Sequence, residues 1–248
     1  LKLPSGWAIG FAIKMSVPKT SSGDDDWSAT WRDISHGGAQ RWKDGEAAGN
    51  FRVALSAIMA RMGVGGLSIL VPLAGDTPFV AHAWQQGHHV TAIECVPEAA
   101  ARLRGTFPAA TEWRGPRQDG QHEVWEVASP GPRAAVYVGD VFEPLAALRQ
   151  AHDVIMDKDA FGAIQPFRRG EYIKLMASYL RPGGSVYLEG KDKSLALQAA
   201  GPPWHLDAGL LTSAWGGAGF TFKETLGELY KLQRPGLRQI SYWLMKAT

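Results

Sequence analysis

Residues 67–94 read LSILVPLAGDTPFVAHAWQQGHHVTAIE, and the architecture of the whole chain turns on them. Leu67, Ile69, Leu70 and Val71 form an apolar run with the length and composition of a strand buried on both faces. Pro72-Leu73-Ala74-Gly75-Asp76 cannot prolong that strand, and Gly75 can take the positive φ of a tight strand-to-helix turn. Thr77 or Asp76 can then cap a helix that carries Phe79, Val80, Ala83 and Trp84 and ends at Gly87. Val90 to Ile93 make a second buried strand, closed by the carboxylate of Glu94.

A strand, glycine turn, helix, strand and terminal acid build the nucleotide-binding half of a doubly wound α/β sheet, whose ligand lies outside the carboxyl ends of the strands. In such sites the acid accepts hydrogen bonds from the ribose hydroxyls. The dinucleotide fingerprint Gly-x-Gly-x-x-Gly is absent here, because the turn offers one glycine; this argues against a pyrophosphate at the helix N-terminus. An adenosine without a pyrophosphate fits better, and S-adenosylmethionine is the expected cofactor.

The 248 residues, 45% of them hydrophobic, suffice for one large α/β domain. A net charge of +2 with scattered basic residues leaves no footprint for nucleic acid, so no such partner is expected. Cys95 is the single cysteine, which excludes an internal disulfide and a cysteine-based zinc site and suits a reducing, cytoplasmic setting. The opening LKLPSGWAIGFAIK is too short and too broken by Pro4, Gly6 and Gly10 to span a bilayer, and no membrane partner is expected. Met15 followed by Ser-Val-Pro-Lys resembles a translation start, so residues 1–26 are expected to be a mobile or appended lead-in to a single domain over 27–248.

Helical spacing of Phe51, Leu55, Ile58, Met59 and Met62 precedes the first strand, and Pro97 to Leu103 reads as a short helix after the second. Residues 105–133 hold a hairpin, with 123–127 as one strand. Ala134 to Val138 is a third core strand, delivering Gly139-Asp140-Val141-Phe142 to the ligand edge; His152 to Asp157 is a fourth, followed by Lys158-Asp159-Ala160-Phe161. Gln165-Pro166 is expected to start a helix with Tyr172, Leu175, Met176 and Leu180 on one side, leading to a fifth strand at 185–188. A helix at 206–215 and an antiparallel hairpin of 221–225 with 239–245 complete the chain.

Four ordered islands carry a family resemblance. They are Val71-Pro-Leu-Ala-Gly75 with Gly87-His88-x-Val90 and Glu94; Gly139-Asp-Val-Phe142; Met156-Asp-Lys-Asp-Ala-Phe161 with Ile164-Gln-Pro166 and Tyr172; and Gly201-Pro-Pro-Trp204. The chain resembles the thiopurine S-methyltransferase family with its thiol and thiocyanate or halide methyltransferase relatives. The resemblance implies a class I methyltransferase fold: a Rossmann-like, seven-stranded, mostly parallel sheet with an antiparallel C-terminal strand. It implies S-adenosylmethionine as cofactor, S-adenosylhomocysteine as product, and a small-molecule acceptor with a thiol or thiopurine-like sulfur. Transfer to a halide, thiocyanate, oxygen or nitrogen, and cofactor binding without catalysis, stand as alternatives. A monomer is expected.

By the same resemblance Leu73 and Gly75 line the methionine end of the cofactor, Glu94 the ribose, and Asp140 with Val141 the adenine. Cys95, directly after Glu94, and Asp157 with Lys158 on the fourth strand are counted in the cofactor set. Arg41-Trp42-x-x-Gly45 is similar to the family's amino-terminal element, giving Trp42 a place over the cofactor, although Trp27-x-x-x-Trp31 offers a competing register. Lys158 and Glu143 are the candidate catalytic residues, favouring an anionic acceptor or taking up its proton through water. Two departures from the family pattern bear on the acceptor: Lys158 stands where an arginine is usual, and Ala47-Ala48-Gly49-Asn50 stands where an aromatic-His pair is usual.

Overall fold

The computed structural model describes residues 26–38, 50–63, 65–199, 201–232 and 235–248; the expected lead-in up to residue 25 and the Trp42 element lie outside them. The decisive stretch folds as the sequence implies. Strand β1 (Ser68–Pro72) is followed by helix α3 (Pro78–Gln85) and strand β2 (His89–Glu94), with helices α1 (Ser28–Ser35) and α2 (Asn50–Met62) before them. Thr77 is the cap, its hydroxyl accepting from the Phe79 amide at 3.4 Å with Pro78 at the first helical position. Asp76 pairs instead with Arg102 at 3.1 Å.

The chain continues through α4 (Pro97–Arg104), the hairpin β3 (Trp113–Asp119) and β4 (His122–Val127), then β5 (Ala134–Val138), β6 (His152–Lys158) and α5 (Ala160–Ala163). Helix α6 (Arg169–Tyr179), β7 (Leu180–Lys193), α7 (Ala208–Gly216), β8 (Phe220–Gly227) and β9 (Leu237–Lys246) complete it. The strands form one sheet in the order β3-β4-β5-β2-β1-β6-β7-β9-β8. The run from β5 to β7 is parallel, while β3, β4 and β9 pair antiparallel with their neighbours.

Among the described residues the sheet thus has nine strands where seven were expected. The hairpin foreseen between 105 and 133 does not stand apart but joins the sheet, with Glu123 to Glu126 laddered against Val138 to Ala135. At the other end β9 inserts between β7 and β8, so the C-terminal hairpin closes this edge of the sheet with β8 outermost. Helix α6 begins at Arg169, after a separate 3-10 turn over Pro166–Arg168, and Leu180 opens β7 instead of closing the helix. The ladder is irregular near both rims, between Arg114 and Arg117 on β3 and at Phe222/Glu224 and Thr225/Gly227 on β8.

Alternation along the central strands fills two cores, one per face. Ile69, Val71, Val154, Met156 and Tyr187 pack with Phe79, Val80 and Ile58 of the first helices. Leu70, Ile155, Val186 and Leu188 pack with Tyr172, Met176 and Leu211 of the later ones. Strand order reverses at β1, since β2 and β5 extend to one side and β6 and β7 to the other. A crevice therefore opens beyond the carboxyl ends of β1 and β6.

Trp215 tests the second core. It is fully buried, 5.0 Å from Phe220 and 5.5 Å from Phe161 between ring centroids, and its indole N–H has no hydrogen-bond partner among the described residues. Trp215→Ala is expected to lower unfolding stability by about 3–5 kcal/mol in urea titrations. Trp215→Phe should lose much less, because it also removes a buried donor whose unmet hydrogen bond costs about 1–3 kcal/mol. Equal losses for the two variants would contradict the unsatisfied indole.

Candidate active site

A cavity of ≈ 280 Å³ sits at the strand reversal. Leu73 reaches it from the end of β1, Ile93 and Cys95 from the end of β2, and Asp140, Val141 and Phe142 from the end of β5. Ala163, Ile164, Gln165 and Arg168, between β6 and α6, line another wall, and Asp26, Trp27 and Ser28 a further one.

Two successive departures from ordinary backbone shape the turn after β1. Leu73 has φ 46° and Gly75 φ 55°, both left-handed, so the chain folds back sharply enough for the Gly75 amide to point at the next strand. That amide donates to Glu94 Oε2 at 2.7 Å, and the Val96 amide donates to Oε1 at 2.9 Å. The carboxyl is buried, which raises its pKa, while the two amides and the adjacent Cys95 pull it back down. A carboxylate offers about four acceptor positions; the two amides take two and the Cys95 thiol, 3.6 Å from Oε1, weakly takes a third that a stronger hydroxyl donor can displace. A Cβ on Gly75 would lie 3.1 Å from the Trp31 ring. Trp31 thus covers the glycine turn, and with Ile34 it packs against Val96 and Ala99, docking α1 on α4.

At the end of β5, Asp140 Oδ1 accepts the Phe142 amide at 3.0 Å. Its carbonyl accepts the Glu143 amide at 3.1 Å and the His122 imidazole at 3.0 Å. The Arg168 guanidinium lies 3.4 Å from the centroid of the Phe142 ring, a cation-π contact across the cavity rim. Cys95 is exposed at that rim; the protein packed around its sulfur, with the Glu94 and Asp140 carboxylates, raises its pKa and keeps it a thiol.

The expected site residues therefore divide. Leu73, Cys95, Asp140 and Val141 line the cavity; Gly75 and Glu94 are not among its lining residues, but are joined to each other by their hydrogen bond directly behind Leu73 and Cys95, which are. Asp157 does not join them. It is fully buried, accepting the Phe161 amide at 2.9 Å and the Tyr172 hydroxyl at 2.7 Å, so it holds the turn into α5 from within the core. Lys158 is not among the cavity-lining residues either. Its Nζ lies 3.9 Å from Asp159 Oδ2, and Glu189 is its register partner on β7. Asp159 turns the chain there with φ 60°, taking Lys191 at 3.0 Å and Gln239 at 3.1 Å, and Glu189 accepts the hydroxyls of Tyr187 and Tyr230. Glu143 contributes its backbone amide to the Asp140 turn, and its side chain is not part of the wall. Trp27 and Trp31 were offered from sequence only as a competing register to Trp42, and Phe142, Gln165 and Arg168 were not counted among the site residues.

Comparison with known proteins agrees with this geometry. A family model described as thiopurine S-methyltransferase matches residues 23–240. The thiopurine S-methyltransferase of Legionella pneumophila strain Philadelphia 1 is 26% identical over 136 residues, 55% of this chain and 58% of that protein. The enzyme of the same name from Vibrio vulnificus strain YJ016 is 30% identical over 154 residues, 58% of this chain and 65% of that one. The match thus spans less than two thirds of these curated relatives. Among solved structures, the Burkholderia thailandensis 1,6-didemethyltoxoflavin-N1-methyltransferase superposes with a TM-score of 0.61 at 19% identity, covering 89% of this chain and 87% of that one. That enzyme was crystallised with 1,6-didemethyltoxoflavin and S-adenosylhomocysteine. The likeness identifies the class I S-adenosylmethionine-dependent methyltransferase fold.

Burial pushes the Asp157 carboxyl up to about 6, against the pull of the Phe161 amide and the Tyr172 hydroxyl. Its folded pKa thus exceeds its unfolded one, so its contribution is fully present below about pH 4 and is lost as pH rises through about 6. Asp157→Asn cannot ionise and is expected to gain about 2–3 kcal/mol on the wild type between pH 4 and 7 in denaturant unfolding. A difference between the two that stays flat across that range would refute the shifted carboxyl.

Proposed function

The chain belongs to the thiopurine S-methyltransferase family, and we propose that it transfers a methyl group from S-adenosylmethionine to the sulfur of a small thiol-like molecule. The observation that carries this reading is the Glu94 carboxylate clamped by the Gly75 and Val96 amides, next in sequence to Ile93 and Cys95, which line the cavity that opens where the strand order reverses. The donor set suits an adenosyl cofactor. Glu94 keeps acceptor capacity for two ribose hydroxyls, Asp140 and Val141 flank an adenine pocket, and Leu73 and Gly75 bring backbone close on the methionine side.

When bound, S-adenosylmethionine supplies an electrophilic methyl on a sulfonium, and transfer to an ionised sulfur leaves a neutral thioether. The residues of this chain have correspondingly little acid-base work. They orient donor and acceptor in line and keep water out, and the tryptophans of α1 serve that exclusion: Trp31 lies over the glycine turn and Trp27 in the cavity wall. Lys158 acts through its field rather than by contact. Its charge, tempered by Asp159 beside it and Glu189 across the ladder, favours a thiolate over a thiol at the end of β6. Glu143 has no place in this account beyond its amide.

S-adenosylhomocysteine at a hundred times its dissociation constant is expected to stabilise the protein by about 2.7 kcal/mol, read as a rise in melting temperature. Glu94→Ala should bind it more weakly by at least about tenfold, because two charge-assisted hydrogen bonds to the ribose are lost. Absence of a shift with cofactor or product, or equal binding by the variant, would sink the proposal. A labelled-methyl assay over thiols, thiopurines, thiocyanate, halides and oxygen or nitrogen nucleophiles then identifies the acceptor.

A further inference from the structure

His122 lies outside the parallel core, on the β3–β4 hairpin, yet only 1% of its surface is exposed. Its hydrogen bond does not go to the hairpin that carries it. Nε2 lies 3.0 Å from the carbonyl of Asp140, and since a carbonyl only accepts, Nε2 carries the proton. The imidazole fills the space beneath the preceding residue. A Cβ on Gly139 would lie 2.5 Å from its Cδ2, so glycine at 139 and the imidazole at 122 define each other's position. Gly139 itself is tied to β2, its amide donating to the Glu94 carbonyl at 3.0 Å.

We infer that His122 is a positioning residue for adenine recognition, holding by its hydrogen bond the Asp140 carbonyl and with it the Asp140-Val141 edge of the cavity. The inference rests on the adenosyl site proposed above and extends it to a residue of the added hairpin. The same Asp140 carbonyl also accepts the Glu143 amide, while the Asp140 carboxylate accepts the Phe142 amide. The turn is thus braced on its outer side by its own amides and on its inner side by the imidazole. Without the brace the backbone at 139–141 is free to rotate away, and recognition of the base suffers more than recognition of the sugar, which depends on Glu94.

The test compares S-adenosylhomocysteine with S-inosylhomocysteine, which carries an oxo group in place of the adenine amino group, by calorimetric titration. The wild type should prefer the adenine form. His122→Phe keeps an aromatic ring but has no donor, and it is expected to lose about two- to tenfold of that preference, the worth of one neutral hydrogen bond. His122→Gln keeps an N–H donor and should retain most of it. Gly139→Ala, which displaces the imidazole, should behave like the phenylalanine variant and serves if that protein fails to fold. Preference unchanged in both His122→Phe and Gly139→Ala overturns the inference while leaving the adenosyl site standing, and equal loss in the phenylalanine and glutamine variants overturns it too. A wild type that binds neither compound overturns the adenosyl reading, and this inference with it.

Discussion

One hydrogen bond, from the Gly75 amide to the Glu94 carboxylate, joins the ends of two adjacent parallel strands, and much of the site is arranged to permit it. It requires the chain leaving β1 to reverse within a few residues, which is why Leu73 and Gly75 both occupy the left-handed region. It sets a carboxyl in a buried place, where desolvation raises its pKa and amide donors work the other way. It also brings the glycine under Trp31, so that the docking of α1 depends on the lack of a side chain at position 75.

Glu94 and Asp157 make an instructive pair. Each is an acid near the carboxyl end of a central parallel strand, and each could be assigned to the crevice from sequence. One clamps the turn after the neighbouring strand, while the other turns into the core to hold Phe161 and Tyr172. What separates them is the backbone that follows: after Glu94 the chain enters α4 through Val96, whereas after Asp157 it is bent by a left-handed Asp159 into the short helix α5. A non-glycine residue in that region is stabilised by tertiary partners, here Lys191 and Gln239, that lie 32 and 80 positions away in sequence. No local pattern announces them.

The central architecture was legible because it follows from composition alone. Strands such as Ile69 to Val71 and Val154 to Met156 are apolar on every residue, as burial between two helical layers demands. The hairpin at 113–127 was visible as a hairpin, but its membership of the sheet depends on pairing with β5, a non-local event. The two tryptophans at 27 and 31 were visible as a pair and as a register competing with Trp42, but their seat depends on Val96 and Ala99, a tertiary contact that no local pattern announces. Arg168 was obscured in the same way, since its contact with Phe142 joins loops after different strands.

A nine-stranded sheet has two rims, and an open rim of unpaired amides and carbonyls is a template on which a further strand can grow. Neither rim of this sheet is a flat one. On β3 the register slips between Arg114 and Arg117, across a Gly115-Pro116 pair whose proline has no amide to offer; on β8 it slips twice, across Lys223 and across Leu226. The interruptions that cost each outer strand part of its ladder also deny a neighbouring molecule the straight run of donors and acceptors that fibrous stacking needs. Irregularity at the margins is what keeps so wide a sheet finite.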